Sequence, residues 1–254
     1  MEKWIVHPGE TRVIDLESVR ELKVGLVGGQ IDVIAHDEPS ARIEVHGVTV
    51  KDLRIEMNDG RLEIDHPQLR WDNFLEVFRN FGAGGPRAEV SVAVPRAVAL
   101  TLGVVSASAL VSGLRTDARL NTVSGDIIVD GLVGDVTVTG AVTKASIDTV
   151  SGAMLVDSTG PVQSIALNSV NGAATIRLDR GLPANYVSRS VSGRVQIDGH
   201  VRSGSGPTNF TGSTGALAGQ FVDVRANTVS GEITVLRRGI SGLRPEELAN
   251  EEEW

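Results

Sequence analysis

Three carboxylates recur at one place in a repeated phrase. Asp130, Asp157 and Asp198 each lie five residues beyond a glycine, Gly125, Gly152 and Gly193. If copies of the phrase stack in register, the three form an acidic column. Such a column could hold a cation or supply the acid and base of a glycoside-cleaving site. The favoured reading is structural: an aspartate that ends a strand and hydrogen-bonds the next turn, as in Asp130-Gly131 and Asp198-Gly199. The five histidines, His7, His36, His46, His66 and His200, are scattered and show no metal-ligand spacing. The chain contains no Gly-x-Ser-x-Gly elbow, phosphate loop, dinucleotide fingerprint or Gly-Gly-x-Gly-x-Asp calcium repeat. Cysteine is absent, which excludes thiolate nucleophiles, disulfides and Cys-ligated zinc. No catalytic residue, metal site or cofactor is expected, and no small-molecule substrate is identified.

The elements that would position these residues come from the phrase itself. It reads Asn121-Thr122-Val123-Ser124-Gly125, Asp148-Thr149-Val150-Ser151-Gly152, Asn168-Ser169-Val170-Asn171-Gly172, Arg189-Ser190-Val191-Ser192-Gly193 and Asn227-Thr228-Val229-Ser230-Gly231. The glycines are 27, 20, 21 and 38 residues apart. A period near 20 residues marks stacked-coil architecture. The residues two and four beyond each glycine are apolar: Ile127 and Val129, Met154 and Val156, Ala174 and Ile176, Val195 and Ile197, Ile233 and Val235. In a strand those positions share a face, so they should build inward ladders. The glycine turns a corner by close approach or positive φ. Ser124, Ser151, Asn171, Ser192 and Ser230 are expected to stack there as one column. Asn121, Asp148, Asn168 and Asn227 should form a second, hydrogen-bonded from rung to rung and interrupted by Arg189. Ala107 occupies the glycine place of a degenerate first copy. The interval of 38 fits two coils, one without the phrase, and that of 27 fits one coil plus an excursion over residues 136–144. At about 4.8 Å per rung the repeats would make a rod on the order of 35 Å. A β-sandwich is the competing fold, but it gives no reason for a corner repeated at this period. The expected fold is therefore all-β, a β-solenoid of parallel stacked coils like a β-helix, with a β-rich N-terminal cap and one short amphipathic helix.

Residues 1–87 read as that cap. Short alternating strands are broken at Gly28-Gly29 and Asp37-Glu38-Pro39-Ser40, and Asn58-Asp59-Gly60 signals a hairpin. Within the cap, residues 69–81 place Trp71, Phe74, Leu75 and Phe78 on one helical face, with Phe81 following. The bland role is to cover an open end of the core; the sharper one makes Trp71, Phe74, Phe78 and Phe81 a partner-binding anchor. Gly82-Ala83-Gly84-Gly85-Pro86 ends the helix. Residues 88–238 form the solenoid, residues 202–215 a long polar loop, and residues 239–254 an acidic tail.

Composition narrows the partners. The 254 residues carry a net charge of −8, against the basic surface that nucleic-acid binding requires. Contact with a membrane surface gets no support from this charge either. Twenty-nine glycines and few aromatics suit many tight turns and a core of Val, Ile, Leu and Ala. No leading apolar segment and no run near 20 apolar residues is visible, so a cytoplasmic protein is expected.

The repeated Thr-Val-Ser-Gly followed by Asp126-Ile127-Ile128-Val129 and Glu232-Ile233-Thr234-Val235 resembles the bacterial DUF4097 family, the toastrack or putative-adhesin β-strand-repeat proteins. The resemblance covers about residues 85–237, and residues 1–66 are similar to the N-terminal part of short members. It implies a repeat scaffold without catalytic residues, with links to cell-envelope stress systems in some members. The expected function is thus a non-enzymatic, adhesin-like scaffold that binds a protein partner or itself through a strand edge. A carbohydrate-active enzyme on a β-helix and a membrane-surface module are the alternatives.

Overall fold

The computed structural model describes residues 1–66, 85–203, 206–217 and 219–238, and every regular element among them is a β-strand. The expected helix over 69–81, with Trp71, Phe74, Phe78 and Phe81, lies outside the described residues, as does the expected tail over 239–254. The first strands are β1 (Glu2–Val6), β2 (Arg12–Glu17), β3 (Glu21–His36), β4 (Ser40–Thr49), β5 (Leu53–Asn58) and β6 (Arg61–Asp65). Next come β7 (Arg87–Pro95), β8 (Ala99–Ser112), β9 (Ala118–Thr122), β10 (Asp126–Val133), β11 (Val136–Gly140) and β12 (Lys144–Ser151). They are followed by β13 (Met154–Ser158), β14 (Ser164–Asn171), β15 (Ala174–Leu178), β16 (Ala184–Ser192) and β17 (Val195–Ile197). The last are β18 (His200–Arg202), β19 (Thr208–Thr214), β20 (Val222–Ser230) and β21 (Ile233–Arg237).

Strand pairing sorts these into two faces. The first runs β1-β5-β6-β3-β8-β9-β11-β13-β15-β21-β17-β18. The second runs β2-β4-β7-β3-β8-β10-β12-β14-β20-β16-β19. The long strands β3 and β8 pass through a corner, so each belongs to both faces and joins them into one network. Rungs from β3 to β17 and β16 pair in parallel, while antiparallel strands close both ends. This is the stacked-coil, all-β fold expected from the repeat. The hairpin signal at Asn58-Asp59-Gly60 also holds: β5 and β6 pair antiparallel, with Asp59 and Gly60 both at positive φ.

Alternation along each strand explains the core. On the first face Leu100 and Leu102, Ala118 and Leu120, Val136 and Val138, Met154 and Val156, and Ala174 and Ile176 lie rung above rung. Ile233 and Val235, then Val195 and Ile197, continue that ladder, and all of these side chains are buried. The second face carries its own ladder of Ala109 and Val111, Ile127 and Val129, Ala145 and Ile147, Ile165 and Leu167, and Val224 and Ala226. Each buried Val, Leu or Ile contributes roughly 1.5–3 kcal/mol, so two inward aliphatics per strand hold a coil to its neighbours.

Three expectations need correction. First, the corner phrase does not occupy one column. Gly125 turns the chain from the first face to the second, over Ala107, whereas Gly152, Gly172, Gly231 and Gly193 stack at the opposite corner, above Gly134. The interval of 27 arises because residues 136–144 are no excursion. They supply the regular strand β11 and a turn, so the chain completes one and a half coils before the phrase returns. Second, the interval of 38 hides no extra coil. The strands β20 and β21 insert between β14/β15 and β16/β17, so the last coil in sequence is the next-to-last in space. The cause is local pairing: β16 takes β19 on one edge and β20 on the other, and this unit docks through β20 onto β14. Third, residues 202–215 are not a long polar loop. Thr208–Thr214 is a strand antiparallel to β16, anchored by Phe210, whose ring meets that of Tyr186 edge-on at 6.4 Å. Alternation of Thr, Phe and Thr with small polar residues was enough to make a strand once an apolar neighbour was present.

Candidate binding face

The second face displays one consistent pattern around the glycine corner: Ser151, Asn171, Ser230 and Ser192 stand in register beside the glycines, and the other four positions of the phrase have separate tasks. The first position points outward. Asp148, Asn168, Asn227 and Arg189 lie in register on β12, β14, β20 and β16. The Asn168 side-chain amide donates to Asp148 Oδ1 at 2.6 Å, and the Asn227 amide donates to Asn168 Oδ1 at 2.9 Å. This is the expected polar ladder, with one exception. Asn121 belongs to the first face, where its Oδ1 accepts from the Thr139 hydroxyl.

The second position turns inward. Thr149, Ser169, Thr228 and Ser190 are buried, and their hydroxyls satisfy groups at the corner. The Ser190 hydroxyl donates to Gly231 O at 3.1 Å, and Thr149 donates to Ser169 Oγ at 3.1 Å. The last position, glycine, is required by closeness. A Cβ on Gly172 would sit 1.9 Å from Gly152 O, and one on Gly231 would sit 2.0 Å from Gly172 O.

The third position, valine in every copy, faces solvent on this side of the stack. Val150, Val170, Val229 and Val191 point outward and are 50%, 54%, 49% and 53% exposed. They form an apolar stripe over four adjacent rungs, beside the polar ladder. Val170, Val229 and Val191 of the stripe and the polar row beside them line a shallow groove of about 420 Å³. The signal was in the alternation itself: if the second position faces the core, the first and third must face solvent.

Chemically this surface offers amide donors and acceptors, a carboxylate at one end, a guanidinium at the other, and a ridge of methyl groups. It contains no nucleophile poised beside a base. The carboxylates singled out at the start are not brought together either. Asp130 lies on β10 of the second face, and Asp157 on β13 of the first. Asp157 pairs with Arg177 on the next rung and with Arg238, which follows β21 two rungs away. The Arg177 guanidinium, opposed by burial and helped by Arg238, holds the Asp157 carboxyl below its usual range. Asp198 lies two rungs beyond Arg177 and accepts from the Tyr186 hydroxyl at 2.9 Å and from Arg237 at 3.2 Å. The acidic column therefore does not form: Asp157 and Asp198 belong to separate ion pairs, and Asp130 stands on the other face.

Among the described residues Arg237 is the centre of the largest set of such bonds. It donates to Leu182 O at 2.7 Å, Asp179 O at 3.1 Å and Thr214 Oγ1 at 2.7 Å, as well as to Asp198 and Tyr186. The histidines are not gathered: His7 pairs with Asp52, His46 with Ser91, and His66 is buried. Among the described residues no group of three or more His, Asp or Glu could hold a metal ion, and no helix is long and apolar enough to cross a membrane.

Comparison with known proteins gives a family. No curated protein matches the chain. Among solved structures the chain is similar to a putative cell adhesion protein from Clostridium sporogenes, at 15% identity over 90% of this chain and 99% of that one, with a TM-score of 0.27. It is similar to a putative adhesin from Bacteroides fragilis at 11% identity, covering 90% and 98% of the two chains, with a TM-score of 0.26. A putative lipid binding protein from Parabacteroides distasonis is matched at 12% identity over 91% and 98%, with a TM-score of 0.24. The model of the Toastrack DUF4097 family matches residues 16–236, and the chain belongs to that family.

Proposed function

We propose that this protein is a non-enzymatic binding scaffold whose contact surface is the groove on the second face. The observation that carries this reading is the row of four half-exposed valines beside a hydrogen-bonded Asp148-Asn168-Asn227 ladder. Outward valines at a fixed strand position are not needed for the core, which is filled by the inward ladders. A continuous apolar stripe rimmed by polar groups is the usual form of a contact surface. The ladder bonds hold the polar rim rigid, so little side-chain freedom is lost on contact. The partner is a macromolecular surface, adhesin-like in kind, because the groove is too shallow to enclose a small molecule. Net acidity disfavours nucleic acid and anionic membrane as that partner. A cytoplasmic location and a tie to envelope stress belong to the same proposal, and cell fractionation with and without envelope stress checks both.

The test replaces Val170 and Val229 by Glu. Both side chains are exposed, so the fold should keep its thermal midpoint within a few degrees. Labelled protein titrated onto isolated bacterial cell envelopes and onto cytoplasmic protein fractions should lose at least tenfold in affinity in the double variant. Binding that is unchanged by these substitutions rules out the groove as the contact surface.

A further inference from the structure

The groove on the second face is complementary to itself. Its polar row runs Asp148, Asn168, Asn227, Arg189 over β12, β14, β20 and β16, with a carboxylate at one end and a guanidinium at the other. The two charges stand three rungs apart, about 14 Å. Among the described residues neither Asp148 nor Arg189 makes an ion pair. The two amides between them differ in what they have spare. Asn168 uses its Oδ1 and one amide hydrogen in the ladder, whereas Asn227 enters the ladder through an amide hydrogen alone. The valine row beside them is half-exposed on all four rungs.

Consider a two-fold axis lying in the plane of contact, parallel to the strands and midway between β14 and β20. It turns this face onto a second copy with the rung order reversed and the position along each strand kept. Asp148 then faces Arg189 of the other copy, twice over, and the spare amide hydrogen of Asn168 faces the Oδ1 of Asn227. Val150 meets Val191, and Val170 meets Val229. The match continues outward, where Ile128 on β10, 46% exposed, comes over Thr211 on β19. Two residues back along the strands Arg225 faces Ala166, so no like charges are opposed there. A two-fold axis along the stack would instead keep each rung over its own counterpart, and Asp148 would never reach an Arg189.

From this self-complementarity we propose that the groove's partner is a second copy of the chain, held face to face in a closed two-fold dimer. The inference rests on the reading that the groove is the contact surface, and it names what that surface contacts. The occupant is a copy of this chain because each end of the row carries the complement of the other, in the order that a two-fold axis requires. Six rungs, β10 to β19, of strands about eight residues long cover roughly 26 by 29 Å, so on the order of 1,500 Å² is buried in total, the size of a stable interface. The two sheets keep their strands nearly aligned, as sandwiched sheets do. An isologous contact occupies the same face of both copies, so assembly stops at two.

Sedimentation velocity of the full chain, from sub-micromolar to the highest soluble concentration, should show monomer and dimer and nothing larger. Asp148→Arg sets guanidinium against guanidinium, and Arg189→Asp sets carboxylate against carboxylate. Each alone should dimerise at least tenfold more weakly than the wild type. An equimolar mixture of the two should regain a heterodimer, and the chain carrying both changes should regain the homodimer. Circular dichroism shows whether each variant is folded, and Arg189→Asp, which breaks no ion pair among the described residues, keeps the test decisive if Asp148→Arg does not fold. A wild type that stays monomeric overturns the dimer; the groove itself stands if Val170→Glu with Val229→Glu still loses binding to cell envelopes or cytoplasmic proteins. A dimer indifferent both to these charges and to the valine substitutions overturns the two readings together. A dimer lost with the valines but not restored by exchanging the charges overturns this pairing alone.

Discussion

At the scale of the residue, the corner glycines are set by distance more than by torsion. Gly172 has no left-handed φ, yet a Cβ there would lie 1.9 Å from Gly152 O, and its own N–H donates to Ser230 O at 3.1 Å. Gly172→Ala must push two corners apart and should cost about 2–3 kcal/mol, read by chemical or thermal denaturation. Gly206→Ala, where a Cβ meets nothing within 4 Å, should be close to neutral. Equal loss in both variants would mean that glycine serves only chain flexibility here. His66 is the second informative residue. It is buried, its Nδ1 accepts weakly from Val27 N at 3.4 Å, and its Nε2 has no partner among the described residues. Burial lowers its pKa from 6.5 to about 4. The unfolded chain therefore binds the extra proton first as pH falls, so stability declines between pH 6.5 and about 4. The loss over that window is about 3 kcal/mol. Asp157 and the exposed carboxylates Glu21 and Asp37 also have lowered values, and their stabilisation is lost only below the ordinary carboxylate range. Subtracting the pH profile of His66→Leu from that of the wild type isolates the histidine, and parallel profiles would refute the assignment.

At the scale of the element, what was legible followed from alternation. The inward pairs two and four beyond each glycine are buried wherever the phrase occurs, because a strand with one wet side leaves no other choice. The rung-to-rung ladder of Asp148, Asn168 and Asn227 was legible for the same reason. Which corner a copy occupies was not legible, because the Asn-Thr-Val-Ser-Gly phrase is satisfied equally well at either corner. Thus Gly125 and Asn121 share the phrase but not the column of the other copies. Residues 208–214 misled in another way: Asn, Gly and Ser are turn-formers by themselves, and only the partner strand β16 makes them extended. The element that ties this region together is β21, through Arg237. Its side chain is mostly buried and reaches the turn at Asp179–Leu182, Tyr186 on β16, Asp198 after β17 and Thr214 on β19. Lysine cannot make this fork of bonds. Arg237→Lys should therefore cost about 2–3 kcal/mol by leaving buried acceptors unpaired. Hydrogen exchange should locate the loss in β16–β19, with β9–β13 unchanged. Uniform loss of protection along the stack would contradict a local pin.

At the scale of the whole molecule, the departure of spatial order from sequence order has mechanical consequences. A repeat stack couples each rung only to its neighbours, so damage spreads from a broken rung toward the nearer free end. If coils followed the sequence, the coil of β20 and β21 would be outermost and β16/β17 would rest on β14/β15. Instead β20 lies between β14 and β16, with Val224 in register with Ile165 on one side and Tyr186 on the other. Val195 sits one rung further out, next to Ile233. Both valines are fully buried, and an unpaired carboxylate at either place costs about 4 kcal/mol or more. Val195→Asp should loosen β16–β19 while β20 and β21 keep their pairing with β14 and β15. Val224→Asp should strip protection from β16 and β17 as well as from its own coil, and expose the edges of β14 and β15. Sequential stacking requires the reverse: Val224→Asp would spare β16/β17, and Val195→Asp would release β20/β21. Hydrogen-exchange mass spectrometry on the two variants separates these outcomes peptide by peptide. The inserted order also explains how the end can form without threading. Because β19-β16-β20 pair within residues 184–230, the unit assembles from local contacts and then docks by the single free edge of β20.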